Sequence, residues 1–376
     1  MIESSLVYLL TIALIAALFG IAEHYRLSRV FKTLPAVVLI YAAAMLLASL
    51  GLWERNDAIT HTYETVKNNL LPAMLFLMLL QLDFKAFAHL GRPLIVAYIS
   101  ATVSIALAFI AVFFLFDFNA QQAGLFSALC GSWMGGTANM LAVASALDVN
   151  ETMMGYALIV DSVDYALWVM LLLALVPWAS YFNRFSGATA ATHRLNRLGC
   201  ACEMGAPKYW SLLLLAVGIA LLTQLLAATL EGLSTMTWVV LLATVFGVAA
   251  SLTPIRQYNG SSRLATTMLY LLVALIGSRA SFEGMGAIPL YLFAGICILT
   301  LHAMMMLIAA KLFKLDLFSI AVASLANIGG VASAPILAAA YHRSLIGVAV
   351  LMAIMGYLIG TVAGLGVAGI LQRMAS

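Results

Sequence analysis

Apolar runs near the length needed to cross a bilayer recur along this chain, with only short breaks between them. A helical crossing takes about 20 consecutive apolar residues. Twelve runs approach that: 5–23, 34–53, 69–84, 92–116, 120–147, 152–178, 209–230, 236–252, 264–279, 287–311, 318–341 and 345–371. The pattern leaves room for one architecture, an all-α polytopic membrane protein of about 11–13 transmembrane helices. Composition supports it: 64% of the 376 residues are apolar and 9% charged, against about 25% charged in a soluble domain. With 18 Lys and Arg against 15 Asp and Glu, there is no basic surface for nucleic acid, and the bilayer is the expected partner.

The opening MIESSLVYLL has no basic region and no clear cleavage site after it. The run 5–23 therefore reads as an uncleaved first helix. Arg26, Arg29 and Lys32 follow it and place that loop in the cytoplasm, with the N-terminus outside. Of four cysteines, Cys130 and Cys297 lie in apolar stretches, while Cys200-x-Cys202 lacks the second pair a tetrahedral metal site needs. The segment between Trp53 and Asn69 is polar and reads as surface. The longest polar connector, 179–208, carries Arg184, Arg194, Arg197 and Lys208 and divides the chain in two.

The halves read as copies. A shift of 194 residues lays Gly135-Gly136 on Gly329-Gly330, Ala138, Ala144 and Ala146 on Ala332, Ala338 and Ala340, and Lys85 on Arg279. Duplication of this kind is typical of secondary transporters. First-half charges, continuing with Lys85 and Arg92, mark loops one and three as cytoplasmic. Second-half charges, in the connector and at Arg256, Arg263, Lys311 and Lys314, mark loops six, eight and ten. That switch in parity predicts inverted repeats. Twelve crossings would leave the halves parallel, whereas 11 or 13 restore the inversion.

Three constellations carry candidate chemistry. The first is Gly131-Ser132-Trp133-Met134-Gly135-Gly136-Thr137-Ala138-Asn139, inside one apolar run. A glycine within a helix costs about 1 kcal/mol relative to Ala, and a break inside the bilayer is tolerable only where the freed backbone lines a cavity or binds something. Thr137 and Asn139 add oxygen ligands. The competing reading is close helix packing through small residues. The second copy runs from Ala323 to Pro335, with Asn327 and Ser333 flanking Gly329-Gly330. Here Pro335 strengthens the break signal, and the competing reading is ordinary hydrogen bonding between helices. The third is Asp161-Ser162-Val163-Asp164-Tyr165. Two carboxylates three residues apart share a helix face, and each costs about 2.5–3.5 kcal/mol at a helix centre. A cation- or proton-coupling site at Asp161, Ser162 and Asp164 accounts for them; pairing with a basic group or contact with water is the alternative.

Gln81 and Asp83, beside Lys85, read as surface anchors, and Arg279 as a repeated interfacial anchor rather than an anion ligand. His302, alone in an apolar helix, reads as a hydrogen-bonded core residue ahead of a proton relay. No P-loop, His-Glu-x-x-His or Gly-x-Ser-x-Gly motif is present, so neither an ATP-driven pump nor an intramembrane hydrolase is supported, and no enzyme is expected.

The runs GSWMGGTANMLAVASALDVN, ALIVDSVDYALW, ASLANIGGVASAPILAAA and MGYLIGTVAG resemble the YjcL-like family of uncharacterised bacterial integral membrane proteins. That family is similar to sodium/bile-acid and sodium/glutamate symporters and sodium/proton antiporters. The resemblance implies two repeats, 1–178 and 209–376. Panel helices would lie at about 5–53 and 209–252, and core helices at about 69–178 and 264–371. Two discontinuous helices would cross in the core, and the panel would form a homodimer contact. It also implies a multi-pass protein of the bacterial inner membrane. Carried over, Gly135, Gly136, Thr137, Asn139, Asn327, Gly329, Gly330 and Ser333 would bind substrate, with a Na⁺ at Asn139, Asp161 and Asn327 and no other cofactor. Unlike the bile-acid relatives, this chain has no Pro in its first double-glycine motif and no acidic residue in its second.

The expected function is secondary active transport of a small anionic or zwitterionic solute coupled to Na⁺ or H⁺. A cation/proton exchanger without organic substrate is the first alternative, and a channel or membrane-embedded enzyme the second.

Overall fold

A computed structural model describes every residue except 26–35, 55, 189–205, 258–259, 281–284, 343–344 and 376. Arg26, Arg29, Lys32, Arg194, Arg197, Cys200 and Cys202 lie outside the described residues.

Among the described residues every regular element is helical. The first eight helices are α1 (Ser5–His24), α2 (Ala36–Ser49), α3 (Asp57–Leu79), α4 (Phe84–Ala88), α5 (Arg92–Leu115), α6 (Ala120–Gly135), α7 (Thr137–Ala146) and α8 (Glu151–Leu175). The rest are α9 (Ala179–Ser186), α10 (Ala206–Ala227), α11 (Thr235–Ser251), α12 (Ser261–Gly277), α13 (Ile288–Phe313), α14 (Leu317–Ile328), α15 (Gly330–Tyr341) and α16 (Ile346–Met374).

Six helical stretches are long and apolar enough to cross a membrane: Ser5–His24, Arg92–Leu115, Glu151–Ser186, Lys208–Ala227, Ile288–Phe313 and Ile346–Met374. Five shorter apolar helices have 10–17 residues. Two of the shorter ones, α7 and α14, come from apolar runs that a double glycine divides into two helices. The stretch read as a polar surface segment is partly helix: Asn56 accepts from the Ile59 amide at 2.8 Å and starts α3. The polar opening turns of α3 hide half its length from a hydropathy reading. Pro72 sits inside α3 without ending it.

The chain forms two compact units. The first comprises residues 1–81, 144–162 and 203–288. Within it α3 packs against α10, α11 and α12, and α1 and α2 pack against α12. The stretch Leu71–Leu79 of α3 is buried throughout, as befits a helix enclosed by neighbours. Ser278 ties this unit together. Its hydroxyl lies 2.6 Å from the Tyr8 hydroxyl, and its carbonyl accepts from Trp53 Nε1 at 3.1 Å.

The second unit comprises residues 82–143, 163–202 and 289–376. Here α16 lies along α6, and α5, α6, α14 and α16 are in mutual contact. An aromatic cluster fills the space between α5, α6 and α13. Trp133 meets Phe109 edge-on at 5.4 Å, Phe118 stacks on Phe126 at 4.7 Å, and Tyr291 meets Phe126 at 6.1 Å. Such pairs contribute about 0.5–1.5 kcal/mol each beyond the area they bury.

Candidate functional site: two interrupted helices

Both double-glycine motifs of the second unit fall where one helix stops and another starts. At its start α6 has a reciprocal cap: Asn119 accepts from the Gln122 amide, and Gln122 Oε1 accepts from the Asn119 amide at 2.8 Å. It ends at Gly136, whose φ of 95° and ψ of 173° only glycine adopts freely. The Gly136 amide closes α6 on Ser132 O at 2.6 Å, and its carbonyl opens α7 by accepting from the Asn139 amide at 2.9 Å. A Cβ at Gly136 would meet open space, so torsion rather than crowding demands glycine here.

The neighbouring glycines do the opposite work. A Cβ on Gly135 would run into the Gly356 carbonyl and the Asn139 amide. One on Gly360 would run into Asn139 Nδ2 and lie 2.8 Å from Gly135 Cα, and one on Gly364 would lie 3.0 Å from Gly131 Cα. Gly131 and Gly135 of α6 therefore pack, one turn apart, against Gly356, Gly360 and Gly364 of α16. Packing and interruption are both present in the first motif, one residue apart. The α16 stripe is legible as small residues every four positions, but nothing local in the sequence pairs it with α6.

Close approach brings Asn139 onto α16. Its Nδ2 donates to Gly356 O at 3.0 Å and Tyr357 O at 3.1 Å. Its Oδ1 is buried with no hydrogen-bond partner. The Tyr98 hydroxyl, against which a Gly356 Cβ would lie at 3.5 Å, and Thr361 Oγ1, next to Gly360, are buried in the same condition. An unsatisfied buried oxygen costs about 1–3 kcal/mol. Tyr98 and Thr361 are not in either double-glycine motif; their signal was a lone polar group in an apolar helix.

The second interruption differs in build. Asp316 caps α14 by accepting from the Ser319 amide at 2.7 Å. The helix closes with the Gly329 amide on Leu325 O at 2.8 Å, and the left-handed Gly330 (φ 59°) begins α15. Pro335 lies inside α15, five residues past the turn, so the glycines rather than the proline make the break. Thr102 of α5 donates to Asn327 Oδ1 at 2.9 Å, and Asn327 Nδ2 donates to Ala323 O at 2.9 Å. A Cβ on Gly329 would strike Ser333 Oγ and the Tyr165 ring of α8. Ser333 Oγ is buried without a hydrogen-bond partner.

One turn back along α14, a directed chain of hydrogen bonds crosses the unit. Trp168 Nε1 donates to Ser324 Oγ at 2.9 Å. Ser324 Oγ lies 2.8 Å from His302 Nε2, and His302 Nδ1 lies 2.7 Å from Ser104 Oγ. Ser104 donates its own proton to Ala101 O at 2.9 Å. Nδ1 of His302 is therefore the donor to Ser104, and Nε2 accepts from Ser324. Both ring nitrogens are satisfied in a neutral imidazole, the arrangement of a core histidine.

The first arms, α6 and α14, pack against each other. Asn139 bonds α16 and Asn327 bonds α5 and its own helix, with no described hydrogen bond joining the two. In α8, Asp161, Tyr165 and Trp168 fall on one stripe, with Asp164 beside it. Asp164 is fully buried, Ser162 is 5% exposed and Asp161 is half-buried. Asp161 and Ser162 belong to the first unit and Asp164 to the second. Thr137 and Gly136 are half-buried. Among the described residues no cluster of three His, Cys, Asp or Glu could hold a metal ion.

Of the remaining candidates, Asp83 and Arg279 have structural partners. Asp83 caps α4 by accepting from the Ala86 amide at 3.0 Å, and Lys85 is exposed. In the first unit, Arg279 donates to Thr60 Oγ1 at 2.8 Å and lies 5.1 Å from the Tyr63 ring centre. Glu151, which the sequence reading did not single out, accepts from the Tyr63 hydroxyl at 2.8 Å and lies 3.7 Å from Lys67 Nζ.

A membrane protein of Bacillus subtilis (strain 168), YjcL, itself uncharacterised, is 26% identical over 373 residues, covering 91% of this chain and 92% of the relative. The family model described as protein of unknown function (DUF819) matches residues 10–374. This multi-pass membrane protein, with its two interrupted helices, belongs to that family.

Proposed function

We propose that the protein is a secondary active transporter of a small anionic or zwitterionic solute, coupled to Na⁺ or H⁺ and working by alternating access in a bacterial inner membrane. The observation that carries this reading is the unpartnered oxygen buried at each interruption, Asn139 Oδ1 at the first and Ser333 Oγ at the second. Each interruption also joins the negative end of one helix to the positive end of the next. Carbonyl ends suit a cation and amide ends suit a carboxylate. Asn139, Thr137, Asn327, Ser333 and the four glycines would form the solute site, with Asp161, Ser162 and Asp164 on the coupling path.

The recurrence of helix bounds at one shift supports the same reading. Shifted by 194 residues, the bounds of α5 to α8 fall within a few residues of those of α13 to α16. The shorter apolar helices would add crossings to the six long spans, and a kinship with sodium symporters and antiporters, which the sequence motifs resemble, would imply the same mechanism.

The complete burial of Asp164 favours a second reading, a cation/proton exchanger with no organic substrate. A thermal-stabilisation screen of carboxylates and amino acids, with and without Na⁺, tests both. Ligand that binds the native state raises the melting temperature. A solute whose effect grows with Na⁺ is the expected result, and a response to Na⁺ and pH alone supports the exchanger. No response to any solute, to Na⁺ or to pH contradicts both.

A further inference from the structure

In the second unit, the C-terminal half of α8, the short α9, α13 and α14 line a half-open cavity of about 380 Å³, within the size range of small-molecule sites. Its walls are aliphatic and aromatic, among them Trp178, Tyr181, Phe185, Ala303 and Leu307. Ser324 is the one aliphatic hydroxyl in the lining, and it is spent: it accepts from Trp168 and donates to His302. The cavity thus offers a polar occupant nothing at depth.

Its rim is different. Lys311 Nζ donates to the Phe185 carbonyl at 2.6 Å and sits 4.9 Å over the Phe185 ring. Arg184, beside Phe185 in the chain, and Lys314, in the turn after α13, are exposed. Asn183 Oδ1 accepts from the Leu317 amide at 2.8 Å, which fixes α9 across the start of α14 and keeps the cations beside the mouth. Trp178 and Tyr181, 63% and 70% exposed, have the character of aromatic side chains at a membrane–water interface. The contact between Lys311 and Phe185 also brings together two of the charge clusters that mark cytoplasmic loops, where the leaflet is anionic.

We infer that this cavity is a phospholipid site. One acyl chain of an anionic phospholipid from the surrounding bilayer fills the apolar space, and its phosphate rests against Lys311 and Arg184. The inference needs only the protein's place in a membrane and holds whether or not the chain is a carrier.

Native mass spectrometry of the purified, delipidated full chain, titrated with phosphatidylglycerol or phosphatidylcholine of equal chain length, tests it. One cation near the headgroup favours the anionic lipid about fivefold. The wild type should retain phosphatidylglycerol by that factor or more, and Lys311→Gln should lower the preference about fivefold while still holding lipid. Leu307→Trp, at a 45% exposed position, narrows the mouth without entering the packed interior and should abolish retention of both lipids. Ala303→Phe fills the cavity from inside and should do the same. An unaltered melting temperature identifies variants that fold. Equal retention of the two lipids by the wild type, unchanged retention in a folded cavity-filling variant, or a lipid-free dimer overturns the inference.

Discussion

The two interruptions share a Gly-Gly pair and a buried unpartnered oxygen, but they are held in different ways. The first is held by backbone touching backbone: Gly131 and Gly135 lie on Gly356, Gly360 and Gly364, and Asn139 reaches two carbonyls of α16. Side chains hold the second, through Thr102 on Asn327, the Tyr165 ring on Gly329 and the chain from Trp168 to Ser104. Main-chain contact leaves no room for any added atom, whereas side-chain contact can be weakened one bond at a time. A double glycine predicts where a helix ends; what holds the ends is settled by neighbours far along the chain.

That contrast ranks the effects of substitution. Gly135→Ala should be the most damaging, because its methyl overlaps a carbonyl that cannot retreat; a loss of about 3 kcal/mol is expected for such overpacking. It should appear as the largest fall in melting temperature in detergent, and a neutral result would break the close-packing account. Gly136→Ala should cost about 2 kcal/mol through torsion alone. Gly330→Asn should be better tolerated, since asparagine visits the left-handed region readily. Equal losses at the two would erase the distinction between them.

At the second interruption the losses should be smaller. Ser324→Ala leaves Trp168 and His302 each short of a partner, for about 1.5 kcal/mol. Thr102→Val removes the donor to Asn327, for about 0.6 kcal/mol, the mean for hydrogen bonds between membrane helices. If Thr102→Val matches Gly135→Ala in damage, the second interruption is as rigidly held as the first.

The sequence made the interruptions legible because glycine torsion is a local property. Gly136 and Gly330 take the positive φ values that end one helix and begin the next. Pro335 misled in position, since a proline within a helix marks a lost bond and need not mark its end. His302 was legible as a core histidine, but its partner Ser104, 198 positions away, was not. The same distance hid the pairing of Asn139 with Gly356. Hydropathy understated α3, whose first turns hold Asp57, Glu64 and Lys67. Of these, Lys67 lies 3.7 Å from Glu151.

Hydrogen–deuterium exchange of the intact protein tests the central claim most directly, comparing the solute identified by stabilisation together with Na⁺ against neither. If solute and ion bind at the interruptions, protection should concentrate in peptides covering 131–140 and 325–335, and Asn139→Ala should lose it at the first. Protection confined to other helices, with both double-glycine stretches exchanging at unchanged rates, would contradict the account.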